Sequence, residues 1–205
     1  MAALSFKHVF HAGTDPAAPP LLLLHGTGGN ERDLLPLARV LSPGSAVLSP
    51  RGQVSEHGAA RFFARLAEGL FDAAEVTART HELADFIAAA SGQYGFDPGR
   101  LVAVGFSNGA NIAATLLLLR PESLGGGVLL RAMVVLDRAA TPGSLAGKRV
   151  LLASGASDPI IPPDHPPRLA ALLRAGGAEV TERMFPAGHG LTQADIAAAQ
   201  AWFEQ

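Results

Sequence analysis

The chain has 205 residues, 48% of them hydrophobic and 17% charged, with a formal net charge of −2 and no cysteine. That size predicts a single domain over residues 1–205 with a sizeable core, and the apolar content excludes a disordered chain. The lack of cysteine excludes disulfides, thiolate nucleophiles and thiolate metal sites, and the scattered Lys and Arg leave no basic face for nucleic acid or an anionic membrane.

The opening segment, Met1-Ala2-Ala3-Leu4-Ser5-Phe6-Lys7-His8, lacks the basic start and apolar stretch of a signal peptide. The longest apolar runs, such as Leu21 to Leu24 and Met133 to Leu136, are strand-sized and too short to span a bilayer. A cytoplasmic location is therefore expected. His8 and His11 have no further ligands near them in sequence, so no metal site is expected there.

Strand-like and helix-like segments alternate along the chain. That is the pattern of a mostly parallel sheet with helices on both faces. Lys7 to His11 reads as an edge strand, and Leu21 to Leu24 as a strand buried on both faces. The glycine-rich loop from Gly26 to Asn30 follows, with Asn30 or Asp33 as cap for a helix over Leu34 to Leu41. Ala46 to Leu48 reads as a strand stopped by Pro50. Glu75 to Tyr94 is a long helix, with Leu83, Phe86, Ile87 and Ala90 at helical spacing. Leu101 to Val104 is a strand leading into a sharp turn, Gly105 to Gly109, and then a helix to Leu119. Ala132 to Leu136 and Arg149 to Ala153 read as strands, with a helix at Arg168 to Ala175. Glu179 to Met184 is the last strand. The last helix runs from Thr192 to Glu204, with Thr192 and Asp195 forming a capping-box variant. The segment Asp137 to Gly147 is too short to insert a large lid. Arg51 to Ala74 is long for an α/β connection, and long loops more often carry function.

Gly105-Phe106-Ser107-Asn108-Gly109 is the chain's one G-x-S-x-G. In this nucleophile elbow the serine sits on a strained strand-to-helix turn, and the flanking glycines allow close backbone approach. Such a serine needs a base and an acid later in the chain, because its hydroxyl is barely nucleophilic near neutral pH. Two histidines follow it, His165 and His189. His189 lies in a glycine loop after the last strand and reads as the base; His165, among prolines, reads as surface loop. For the acid, Asp158 follows one strand in a tight loop between Gly155 and Pro159, and Asp137 follows the preceding strand. Asp158 is favoured, and Asp137 is the alternative. The oxyanion of an acyl transfer needs donors. These are assigned to the backbone N–H of Asn108, next to the nucleophile, and of Thr27, in the loop after the first buried strand. His25 reads as a structural residue holding that loop.

Leu22-Leu23-Leu24-His25-Gly26-Thr27-Gly28-Gly29-Asn30, Gly105 to Gly109, Ser154 to Pro162 and Gly188-His189-Gly190-Leu191 resemble the phospholipase/carboxylesterase branch of the α/β hydrolases. The resemblance spans nearly the whole chain and keeps the order Ser, Asp, His. It implies an α/β-hydrolase fold without a large lid, no cofactor, a small-molecule ester substrate, and relatives that often form homodimers. Carried residue by residue, it implies Ser107, Asp158 and His189 as catalytic residues, with Thr27 and Asn108 at the oxyanion hole. The chain departs from acyl-protein thioesterases, which usually carry Gln where Asn108 stands, and is more like the small bacterial carboxylesterases.

For substrate contacts, Phe62 and Phe63 are assigned to wall an apolar or aryl group, Arg51, Glu56 or Arg61 to meet a polar end, and Ile160 and Ile161 to line the acyl side. The alternative is that Phe62, Phe63, Leu66, Leu70 and Phe71 only pack the loop onto the body. The function expected is a carboxylesterase on small esters. A thioesterase or lysophospholipase-like hydrolase is the runner-up, and a non-catalytic binding protein on the same fold is the reading from a different class.

Overall fold

The computed structural model describes residues 4–205. Met1, Ala2 and Ala3, which open the segment read for a signal peptide, lie outside them. A seven-stranded sheet forms the centre. Its strands in chain order are β1 (His8–His11), β2 (Leu21–Leu24), β3 (Val47–Pro50), β6 (Val102–Phe106), β7 (Gly126–Leu130), β8 (Arg149–Gly155) and β9 (Glu179–Phe185), and their spatial order is β1-β3-β2-β6-β7-β8-β9. All neighbours pair in parallel except β1, which runs antiparallel to β3 at one edge. A separate hairpin, β4 (Val54–Glu56) and β5 (Ala59–Arg61), stands in the long connection after β3. The helices are α1 (Leu35–Leu41), α2 (Ala73–Tyr94), α3 (Asn108–Leu119), α4 (His165–Ala175) and α5 (Gln193–Phe203).

The two-residue period of a strand divides the core in two. Leu22 and Leu24 face a cluster with residues of α2, α3 and α4, while Leu21 and Leu23 face one with residues of α1 and α5. This is the mostly parallel sheet, covered on both faces, that was expected of the chain. No helix among the described residues is long and apolar enough to cross a membrane.

Several boundaries differ from the sequence expectation. The strand expected at Ala132–Leu136 is β7, at Gly126–Leu130. Two glycines at its start disguise it, since glycine is normally depleted in strands. Crowding requires the first of them: a Cβ at Gly126 would lie 2.5 Å from the Arg149 carbonyl oxygen. Residues 132–134 are buried as irregular chain beyond the strand end. Neither Asn30 nor Asp33 caps α1. The two bond each other, Asn30 Nδ2 to Asp33 Oδ1 at 2.5 Å, and α1 starts after Leu34 without a side-chain cap. Pro50 does not stop β3 but ends it, paired with His8 of the edge strand, where a missing N–H is tolerated. α4 begins at His165, with prolines in its first turn, which suits proline's preset φ. α2 starts two residues early, where Asp72 Oδ1 accepts the N–H of Ala74 and Glu75. The capping box of Thr192 and Asp195 is present at the start of α5.

Candidate active site

The strands β2, β6, β7, β8 and β9 all end on the same side of the sheet, where a parallel α/β sheet presents its ligand crevice. Register decides how near these ends come. Phe106 pairs with Leu130, and Leu130 with Ala153, so Ser107 and Arg131 leave the sheet side by side. β8 and β9 run on together to Gly155 and Phe185, which raises the loops of Asp158 and His189 to the level of Ser107.

Ser107 has φ +53 and ψ −118, a conformation that costs a side-chain-bearing residue about 1–3 kcal/mol. The surroundings enforce it. The Ser107 N–H donates to Leu130 O at 2.9 Å, and α3 begins at the next residue, buried along almost its whole length. Gly109 must lack a side chain, because a Cβ there would lie 1.9 Å from the Leu24 carbonyl oxygen.

Three side chains distant in sequence meet here. His189 Nε2 lies 2.9 Å from Ser107 Oγ, and His189 Nδ1 lies 2.8 Å from Asp158 Oδ2. A carboxylate can only accept, so Nδ1 carries the proton it donates to Asp158, and Nε2 is left to accept the Ser107 hydroxyl proton. The Asp158 side chain is buried, and its other oxygen accepts the N–H of Ile160 at 2.9 Å and of Ile161 at 3.3 Å. The Phe106 ring, 5.4 Å from the imidazole between centroids, supports its flank. Asp137, the alternative acid, is on the surface and pairs with Arg168 at 3.0 Å. His165 lines none of this.

Thr27 and Asn108 border one cavity of about 210 Å³ with Ser107 and His189. In the loop of Thr27, backbone bonds run through the neighbours, Gly28 N–H to Ala60 O at 2.9 Å and Gly29 N–H to Gly26 O at 3.1 Å. His25 holds this loop from beneath. Its Nε2 accepts the Gly52 N–H at 2.9 Å, so its Nδ1 is the protonated nitrogen and donates to Gly26 O at 2.7 Å. Burial lowers the His25 pKa below its usual value, in keeping with a neutral ring that must accept a hydrogen bond.

Of the residues assigned to substrate, Arg61, Ile160 and Ile161 line this cavity. Arg61 reaches Thr27 Oγ1 at 2.6 Å and the Phe63 carbonyl at 3.0 Å, so it braces the cavity wall. Phe62 and Phe63 do not line the cavity. They are 2% and 0% exposed and belong to the core; Phe62 packs on His25 and Phe63 on Phe71. The hairpin turns these rings inward, and Phe71 is the ring from this segment that borders the cavity. Arg51 pairs with Glu31, and Glu56 with Arg65 and Arg61.

The sequence reading missed Arg131. It borders the cavity and is wholly buried, with φ +60. Its signal was available: a single charge inside the apolar stretch from Val128 to Leu136, where an unpaired charge is too costly to keep.

A model of the phospholipase/carboxylesterase family matches residues 7–204. The chain is 42% identical over 199 residues to MhqD of Bacillus subtilis (strain 168), covering 97% of this chain and 98% of that one. It is similar to the crystal structure of the Bacillus cereus carboxylesterase, with a TM-score of 0.94 at 46% identity over 98% of this chain and 94% of that one. A carboxylesterase from Mesorhizobium loti has a TM-score of 0.84 at 36% identity, covering 91% of this chain and 88% of that one.

Proposed function

The chain belongs to the phospholipase/carboxylesterase family of hydrolases, and on that premise we propose that it is a serine esterase acting on small acyl or aryl esters through an acyl-enzyme. The observation that carries this reading is the continuous hydrogen-bonded chain Ser107–His189–Asp158.

His189 Nε2 takes the hydroxyl proton as Ser107 Oγ attacks the ester carbonyl carbon. The negative charge that moves onto the carbonyl oxygen is met by the N–H groups of Thr27 and Asn108, aimed at the charge that develops in the transition state. The tetrahedral adduct collapses, the C–O bond breaks, and the imidazolium returns its proton to the departing alcohol. Water, deprotonated by the same imidazole, then attacks the acyl carbon, and the bond to Ser107 Oγ breaks as the imidazolium returns the proton to that oxygen. Asp158 fixes the tautomer and stabilises the imidazolium throughout.

Two features support a small substrate. The cavity of about 210 Å³ is below the usual range for drug-sized ligands, about 300–1,000 Å³. The connection from β7 to β8 carries no helix, so no lid extends the site over a long chain.

The test is active-site labelling. A fluorophosphonate probe should modify Ser107 and stop hydrolysis of p-nitrophenyl acetate, and Ser107→Ala should abolish both. A protein that only binds ligand would bind without being labelled, and that outcome would end this reading.

A further inference from the structure

We propose that the buried pair Arg131–Asp195 is the positioning device that holds the His189 loop at the distance proton transfer from Ser107 requires; this rests on the reading of His189 as general base. The pair joins the end of β7 to the first turn of α5 and makes no contact with the reacting atoms.

The geometry is specific. Arg131 Nε donates to Gly188 O at 3.0 Å, and Arg131 Nη2 donates to Gly190 O at 3.0 Å. The carbonyls immediately before and after His189 are thus gripped by one guanidinium. Nη1 adds Ala153 O at 3.2 Å, which ties the group to β8. Asp195 completes the set in fork-to-fork fashion, Oδ1 to Nη1 at 2.6 Å and Oδ2 to Nη2 at 2.8 Å. All five guanidinium N–H donors are matched.

Asp195 is itself held. Its Oδ2 also accepts the N–H and hydroxyl of Thr192, each at 2.8 Å. Burial pushes this carboxyl up, but the Arg131 and Thr192 hydrogen bonds outweigh it and keep it below the usual carboxylate range. The α5 cap, the His189 loop and two strand ends therefore share one planar hub.

Energetics favour a positioning role over a stabilising one. Both side chains are fully buried, and a buried ion pair is often matched or bettered by apolar residues of similar volume. What apolar residues cannot do is present a rigid fork of donors to two carbonyls flanking one imidazole. A lysine cannot either, since its compact ammonium lacks that geometry. A base displaced by about 1 Å costs on the order of 100-fold in rate.

The test uses the full chain. The Arg131→Met/Asp195→Asn double variant removes both charges, leaves no orphaned ion, and keeps an oxygen to cap Thr192. We expect it to fold, by circular dichroism and thermal midpoint, with KM for p-nitrophenyl acetate unchanged and kcat down on the order of 100-fold. A wild-type kcat in the folded double variant overturns the proposal. Should that variant fail to fold, Arg131→Lys keeps the cation beside Asp195 but cannot span both carbonyls. It should lose kcat with KM retained, and an undiminished kcat overturns the role. Ser107→Ala, run alongside, separates the two ideas. If it hydrolyses ester like the wild type, the site reading fails and the positioning role falls with it. If it is inactive while both Arg131 variants keep full kcat, only the positioning role fails.

Discussion

The side-chain oxygen of Asn108 accepts the backbone N–H of Phe62 at 2.8 Å. The residue after Ser107 thus holds down the strand end from which Arg61 reaches Thr27. One side chain couples the start of α3 to the long segment after β3, at the point where the chain leaves the hairpin with Phe62 and Phe63 turned inward.

Phe63→Ala and Phe71→Ala should therefore behave differently. Phe63 is wholly buried, and its truncation should lower the stability measured in urea by about 3–5 kcal/mol while leaving KM of the folded protein unchanged. Phe71→Ala should raise KM for aryl and branched acyl esters and destabilise less. If Phe63→Ala alters KM and leaves the urea midpoint in place, the assignment of the cavity wall is wrong.

Backbone strain at Ser107 has a measurable signature. With φ +53, Ser107→Gly should be inactive, with kcat lower on the order of 10⁶-fold, yet more stable by about 1 kcal/mol, the strain relieved less the entropy that glycine loses on folding. Ser107→Ala should be equally inactive without the gain in stability. Equal urea midpoints for the two variants would show that the turn stores no strain.

The two candidate acids separate cleanly. Asp158→Asn keeps the size of the side chain but removes the acceptor-only group facing Nδ1, and kcat should fall by about 10⁴-fold. Asp137 is 70% exposed in its side chain and bonded to Arg168, so Asp137→Asn should leave kcat unchanged. Steady-state kinetics on p-nitrophenyl acetate decides between them, and the reverse pattern would move the acid to Asp137.

Glu31 sets an acid limit on stability. Its side chain is nearly buried. Burial pushes its carboxyl up, but the Arg51 hydrogen bond, helped by Lys7, outweighs that and lowers it from 4.5 to about 2. A carboxyl depressed in the folded state stabilises above its unfolded pKa, and that contribution disappears as pH falls through the folded one. Glu31→Gln should therefore be less stable than wild type at pH 7, and the gap between their urea midpoints should close between pH 4.5 and about 2. A gap independent of pH would remove the ion pair from the account.

The alternation of strands and helices is legible from the residues in order, because a buried parallel strand and an amphipathic helix each impose a local period. The sequence also singled out Ser107, since a strand, a glycine-flanked serine and a helix in succession form a local geometric motif. It narrowed the candidate base to His189 and the candidate acid to Asp158 or Asp137, and these rank only by their neighbours in the chain. β7 was misplaced because two glycines open it, and the first, Gly126, answers to the Arg149 backbone, a partner far away in sequence.

Distances and facing came from the folded arrangement. Strand register brought Ser107, His189 and Asp158 within hydrogen-bond reach and left Asp137 on the surface. The hairpin β4–β5, invisible as a run of apolar residues, set which aromatic rings enter the core. Arg131 and Asp195 meet from positions 64 apart in the chain, and nothing local to either residue encodes the partner that makes its burial tolerable. Local periodicity is written in neighbouring residues, whereas the compensation of a buried charge is a property of the folded whole.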